Sequence, residues 1–428
     1  MTHDLIRTIH ASPLQLVIAV TGGGSLAISD LLTEPGASQT VLEALVPYGE
    51  SALGAFLGHQ PEQCCSEKTA RRMAMAAFRR FPMSHPPNNL IGVGCTCSLA
   101  GDRPKRGEHR VHWAVQSAGQ TLAASVVFEK EVRSRLAEER LVADLLIETI
   151  AASAGTTDDP AAQLQRHLRP GETVTLQIAT APDEVRDVLI GNRATCRIVP
   201  NDWPNAMPSE QNVMPNAGSF AARSTGPAKQ FFLFPGSFDP MHRGHRRMVE
   251  YVRKQCCLAG VPACCLAGAP ACCLAGVPAC GQDAQIALEI TVHNVDKPPL
   301  DYIDVQNRIT SIAQTPGMAD VPVWLTRFPR FADKSDFFHG VTFIVGADTI
   351  KRIAKHHYYC DAVASTEAAI DRLIANGCRF LCFARKNADG ELETIETLDL
   401  PDALREIVDF VSASEFCDDI SSTQLRTR

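Results

Sequence analysis

Aromatic residues are scarce, at 6% of 428 positions, and 41 Lys and Arg are outnumbered by 48 Asp and Glu. A formal charge of −7, with no basic stripe and no aromatic platform, excludes a dedicated nucleic-acid binder; a local phosphate pocket needs only a few donors. Residues 1–9 carry His3 and Asp4, so no secretory leader is read there. Cys-x2-Cys beside a second matching pair, the clearest zinc signal, is missing, and no metal-ligand set is assigned. Long apolar runs are missing too, except at 256–281, which holds no charged residue. A proline recurs there every eight residues, so the stretch reads as a low-complexity insert rather than a membrane helix.

Sixteen cysteines suggest a disulfide scaffold until their positions are read. Seven lie in that insert, where Cys256-Cys257-Leu258-Ala259-Gly260-Val261-Pro262-Ala263 repeats with one Val-to-Ala exchange at Ala269. The other nine are scattered through candidate helices and strands, as free buried thiols would be. The expected setting is a reducing one, inside the cell and in the cytoplasm, with organelle targeting left open.

What is present is an α/β pattern long enough for more than one domain, at roughly 100–200 residues each. Residues 14–20 form an apolar strand that runs into Gly22, Gly23 and Gly24, followed by a helical pattern. Residues 68–81 read as an amphipathic helix whose basic face is solvated. A long charged helix near 129–152 closes a first α/β domain, 1–152. Residues 153–199 are an α/β extension without a clear owner. The Asn-, Pro-, Ser- and Gly-rich stretch 200–229 is a linker. A second domain, 230–428, alternates apolar strands with helices, which predicts a mostly parallel sheet covered on both faces. A late helix is expected at 404–411.

The sharpest local signal is Phe234-Pro235-Gly236-Ser237-Phe238-Asp239-Pro240-Met241-His242-Arg243-Gly244-His245. A strand ends in a glycine turn, and two histidines three apart open a helix, so His242 and His245 share a side. Gly244 lets a ligand approach the backbone, and the exposed N–H groups of the first turn, with those of Gly236, Ser237 and Phe238, suit a phosphate. Lys followed by Ser or Thr is missing, so this is not a P-loop. A second string, Ile420-Ser421-Ser422-Thr423-Gln424-Leu425-Arg426, combines an N-cap candidate, hydroxyls and a guanidinium into a plausible polyphosphate clamp.

Together these strings resemble the HxGH nucleotidyltransferase superfamily, which carries GxFxPxHxGH after its first strand and an ISST/SxxR motif near its end. The segment 231–428 is most similar to the nicotinamide or nicotinate mononucleotide adenylyltransferases. The supporting strings are Leu325-Thr326-Arg327-Phe328-Pro329-Arg330-Phe331, Lys334, and Phe343-Ile344-Val345-Gly346-Ala347-Asp348-Thr349. The resemblance implies a Rossmann-like fold and adenylyl transfer from ATP to the mononucleotide with release of pyrophosphate, as in NAD biosynthesis. It implies that His242 and His245 contact the phosphates and that Thr423 and Arg426 hold the β- and γ-phosphates, supported by Ser421 and Ser422. Gly346 and Asp348 fall to the adenosine ribose, Asp348 being also a helix N-cap candidate, and Lys297 to the substrate side. Magnesium is expected on the phosphates, with small nucleotides as the partners and no nucleic acid or membrane. Other HxGH transferases, acting on phosphopantetheine or using CTP, and an inactive nucleotide-binding scaffold are the alternatives.

Residues 1–150 resemble the CinA C-terminal domain, whose active members deamidate nicotinamide mononucleotide. The match runs through Thr21-Gly22-Gly23, Leu31-Leu32-Thr33-Glu34-Pro35-Gly36, Val46-Pro47-Tyr48 and Gly92-Val93-Gly94. The position of the family's serine holds Ala19 and that of its lysine holds Leu53. The resemblance therefore implies a degenerate domain, serving as scaffold, as nucleotide binder through the 22–24 loop, or in self-association.

Overall fold

The computed structural model describes residues 2–81, 89–103, 106–203, 230–259, 284–293, 299–355, 363–386, 392–393, 397–412 and 414–416. The chain divides into two compact units, Met1–Arg193 with Asp296–Gln306, and Ala194–Val295 with Asn307–Arg428. Both are α/β, with sheets that are mixed and partly parallel, in a general Rossmann-like arrangement.

The first unit is built on β1 (Gln15–Thr21), β2 (Val41–Leu45), β3 (Leu90–Ser98), β4 (His109–Gln116), β5 (Gln120–Phe128) and β6 (Val174–Thr180), in the order β2-β1-β3-β4-β5-β6. The pairs of β1 are parallel and the remainder antiparallel. One face buries Ile91, Val93, Trp113 and Val126 against the helices Thr2–Ala11 and Arg135–Ser153. The helix Glu67–Phe78 covers the other face, and glycine makes its close approach possible. A Cβ at Gly92 would lie 2.2 Å from Ala74 O, and one at Gly94 would lie 2.4 Å from Ala70 O. Ser66 caps this helix, its side chain accepting from Thr69 N–H at 3.2 Å, as a serine at that position should.

The expected solvated basic face of this helix needs correction. Arg71 is buried, and its guanidinium pairs with Asp301, with Asp304 at 3.0 Å and with Glu67 at 3.4 Å. Asp301 belongs to the short segment that joins this unit, where Tyr302 N–H donates to Thr121 Oγ1 at 3.0 Å and Tyr302 OH donates to Ala118 O. A partner 230 positions away in sequence leaves no trace in helical periodicity.

The second unit is built on β7 (Thr195–Ile198), β8 (Gln230–Pro235), β9 (Ala284–Thr291), β10 (Val323–Thr326), β11 (Thr342–Gly346) and β12 (Arg379–Phe383), with a small hairpin of β13 (Arg385–Lys386) and β14 (Leu392–Glu393), and finally β15 (Val408–Val411). Among the described residues its main sheet has seven strands, in the order β15-β12-β11-β8-β9-β10-β7. All neighbours are parallel except β7, which runs antiparallel to β10. The extension 153–199 thus contributes β6 to one sheet and β7 to the other. Counted from β8, the parallel strands follow the doubly wound order 3-2-1-4-5-6, and the winding reverses between β8 and β11. That gap, at the C-terminal ends of the strands, is where open α/β sheets place their ligands.

The helix expected at 404–411 is a short helix, Asp402–Arg405, followed by a strand. Val408 to Val411 pair with Phe380 to Phe383, because an apolar edge beside β12 offers backbone partners that outweigh local helical preference. The helix Arg243–Ala259 runs four residues into the cysteine repeat; residues 260–283 lie outside the described residues. Among the described residues, no helix is long and apolar enough to cross a membrane.

Candidate functional site

The second unit's junction after β8 gathers the sequence-predicted residues. Phe232, Leu233 and Phe234 are buried in the sheet, and Gly236 N–H donates to Glu289 O at 3.0 Å, carrying the ladder one residue beyond β8. The chain then turns sharply. Phe238 is fully buried in the left-handed region at φ 44°, and the Asp239–Pro240 bond is cis. A bulky residue held there costs about 1–3 kcal/mol and persists only where its surroundings over-determine it. Gly236 is part of that determination, since a Cβ on it would lie 2.6 Å from the Phe238 ring.

The turn delivers two imidazoles to the start of the helix Arg243–Ala259. The His242 and His245 rings stack, with centroids 3.7 Å apart and an interplanar angle of 25°. Phe238 and Phe234 meet His245 edge-on, at 5.1 Å and 5.7 Å. His242 N–H donates to His245 Nδ1 at 3.3 Å, which leaves the proton of neutral His245 on Nε2. Met241 N–H donates to Ser311 Oγ at 3.0 Å. Gly244 is buried, while Ser237 and both histidines are half-buried. A pair of half-exposed imidazoles over first-turn N–H groups is a donor array suited to anionic oxygen.

On the neighbouring strand, β11 pairs with β8 through Phe343 and Leu233. Gly346 ends β11, and Gly236 follows the last residue of β8. Gly346, not Asp348, is the N-cap of the helix Ala347–Ala354. Asp348 lies in its first turn, exposed, 4.0 Å from Lys351 Nζ. The structure therefore brings together Gly236, Ser237, Phe238, His242, Gly244 and His245, and sets Gly346 at the end of the adjoining strand with Asp348 in the first turn of the helix after it. Lys297, Ser421, Ser422, Thr423 and Arg426 lie outside the described residues. Glu289 and Lys334, a buried pair at the same sheet edge, are absent from the sequence-derived site. Their sequence signals are a carboxylate among the apolar residues of β9 and the place of Lys334 among the strings that carry the resemblance.

The first unit's corresponding junction is filled by its own side chains. Ala19, Leu53 and Met73 form one apolar cluster, with Leu45, Phe56 and Cys64 packed on it. Tyr48 is exposed, and its carbonyl accepts from Thr21 Oγ1 at 3.5 Å. Glu139, itself buried, takes the N-terminus of the helix Ser25–Thr33: its Oε1 accepts from Ser25 Oγ at 2.9 Å and from Leu26 N–H at 3.2 Å. The glycines beside it answer packing, since a Cβ at Gly22 would lie 2.1 Å from Cys97 O. Ser25 and Leu26, just after the 22–24 loop, thus hold a carboxylate of this chain, beside the loop that one of the alternatives assigned to a nucleotide.

Further along this sheet, His112 Nδ1 lies 2.6 Å from Ser125 Oγ. Burial, and secondarily the Arg110 charge, holds the His112 imidazole down to about 4, so it is neutral at pH 7. Burial would raise Glu172, but hydrogen bonds from Arg133 and from the Glu129 and Arg169 N–H groups prevail and bring it to about 2. Burial pushes the Cys97 thiol well up, with its neighbour Cys95 adding to the shift.

A scan against protein-family models finds no match, and a search of curated proteins finds none. Among solved structures, the chain is similar to the competence/damage-inducible protein CihA from Agrobacterium tumefaciens, at 22% identity over 36% of this chain and 92% of that one, with a TM-score of 0.28. It is similar to a competence or damage-inducible protein from Enterobacter asburiae, at 20% identity over 36% and 98%, with a TM-score of 0.29. A CinA superfamily protein from Klebsiella pneumoniae shares 14% identity over 37% and 99%, with a TM-score of 0.30.

Proposed function

We propose that the second unit transfers the adenylyl group of ATP to nicotinamide or nicotinate mononucleotide. The observation that carries this reading is the stacked His242–His245 pair on the first turn of the helix after β8, beside the point where the sheet's winding reverses. A 5′-phosphate oxygen of the mononucleotide attacks the α-phosphorus, the bond to the β-phosphate bridging oxygen breaks, and pyrophosphate leaves. No side-chain nucleophile takes part; the protein positions the reactants and stabilises the charge that develops. His245, with its proton on Nε2, donates to the phosphate oxygens, and His242 supports it. Gly346 and Asp348 face the nucleoside, and Ser421, Ser422, Thr423 and Arg426 take the leaving phosphates, with Lys297 on the acceptor side.

Among the described residues, no three His, Cys, Asp or Glu side chains converge as a metal cage. Magnesium would be carried in on the triphosphate, where it would neutralise charge. For the first unit, we propose a role in the same nucleotide metabolism without hydrolysis: the sequence resemblance favours it, and an Ala19–Leu53–Met73 cluster offers neither nucleophile nor base. The test is pyrophosphate release with ATP, magnesium and each mononucleotide in turn, with the product identified by mass and His245→Ala as control. A dinucleotide lost in the variant supports the reading. No product from a folded protein that binds ATP overturns it and leaves nucleotide binding without turnover.

A further inference from the structure

The ends of β9 and β10 are tied together by a buried charged network. Glu289 is 1% exposed and Lys334 4%. Lys334 Nζ stands 2.7 Å from Glu289 Oε2. The other carboxylate oxygen accepts from Thr291 Oγ1 at 2.8 Å and from Thr326 Oγ1 at 2.5 Å. Lys334 also donates to Thr291 Oγ1 at 2.9 Å, and its ammonium lies 5.2 Å from the centroid of the Phe331 ring.

Two ions taken out of water are tolerated only when their remaining lone pairs and protons are met, and an apolar pair of the same size often holds a core as well. Here the network meets them with hydroxyls and an aromatic face. What such a pair adds over apolar packing is direction, because hydrogen bonds fix angle as well as distance. Glu289 is also the residue whose carbonyl accepts from Gly236 N–H. Gly236 lies against the Phe238 ring, and Phe238 meets His245 edge-on at 5.1 Å. Close-packed groups in series pass a displacement along instead of absorbing it.

We propose that Glu289 and Lys334 are positioning residues for the two imidazoles: the pair fixes β9 against β10, and Glu289 hands that placement to His245 through Gly236 and Phe238. Neither residue touches the reacting groups. The kinetic part of the test rests on the adenylyl-transfer reading; the spectroscopic part does not.

The decisive variant of the full chain is Glu289→Gln with Lys334→Met, which removes both charges and strands neither. The ring resonances of His242 and His245, followed by NMR, are expected to move in a protein that still unfolds cooperatively. The kcat for pyrophosphate release is expected to fall about tenfold to a hundredfold, with KM for ATP unchanged. Unmoved ring resonances in the folded double variant overturn the proposal, whatever the kinetics. If that variant fails to fold, Thr326→Val removes the hydroxyl that donates to Glu289 Oε1 and accepts from Phe328 N–H at 3.4 Å, at nearly constant volume. It is expected to move the same resonances in the folded protein, and their failure to move overturns the proposal equally. Wild-type protein that releases no pyrophosphate defeats the adenylyl-transfer reading, and the ring resonances then decide the positioning role alone.

Discussion

A strand, a glycine turn and a helix occur in the same succession after β1 and after β8, and the two junctions are filled differently. After β1 the helix N-terminus is met by Glu139, and the strand above it packs Ala19 against Leu53 and Met73. After β8 the same place carries two stacked imidazoles, a left-handed Phe238 and a glycine pressed on an aromatic ring. The first arrangement satisfies backbone donors with the protein's own carboxylate. The second spends about 1–3 kcal/mol of backbone strain to aim side chains. Of the two turns, only the second holds a bulky residue in the left-handed region.

The contrast breaks most visibly through the imidazoles. His245→Ala is expected to lower kcat about a hundredfold to a thousandfold, the range for removing one donor from developing charge, whereas Ser25→Ala leaves the rate of pyrophosphate release unchanged. A Ser25→Ala variant with comparably reduced turnover would show that the first junction is also engaged. Stability separates the two glycines. Gly22→Ala meets a backbone carbonyl at 2.1 Å with φ at 72° and is expected to cost about 3 kcal/mol, at the upper end of overpacking. Gly236→Ala meets the buried Phe238 ring at 2.6 Å without the added burden of a positive φ, and is expected to cost about 1–2 kcal/mol; denaturant unfolding measures both. Glu139→Ala removes the acceptor at the N-terminus of Ser25–Thr33, an expected loss of about 1 kcal/mol, as for other lost caps.

The last effect is one of pH and belongs to the first unit. His112 titrates near 4 in the fold against an ordinary 6.5. The unfolded chain therefore takes up its proton first, and stability falls as pH drops from about 6.5 towards 4. Glu172 is held near 2 against an ordinary 4.5, so its contribution is lost as pH falls from 4.5 towards 2. His112→Gln should flatten the upper part of that decline in thermal melts and leave the lower part in place.

Much of the candidate site was legible because its signals are local. Gly236, His242, Gly244 and His245 lie within one turn and the helix it starts, so spacing alone puts the histidines together. The parallel second sheet was legible for a related reason: strands buried on both faces, such as β11 and β12, read as short apolar runs. Arg71 was misread because its partners Asp301 and Asp304 are remote in sequence, and an arginine on an amphipathic helix looks solvated by default. Residues 408–411 were misread as helix because their strand character comes from β12 beside them. Glu289 was passed over because a lone charge in an apolar strand gives no hint that Lys334, noted only within the resemblance, will neutralise it.

By itself, the sequence determined the alternation of strand and helix, the two glycine turns and the histidine pair, since each depends on residues a few positions apart. Only the tertiary structure decided what fills each turn. Glu139 reaches the first from a helix more than a hundred residues on, and Glu289 accepts from Gly236 across the sheet. Such partners are chosen by packing, which brings together groups that no local pattern links.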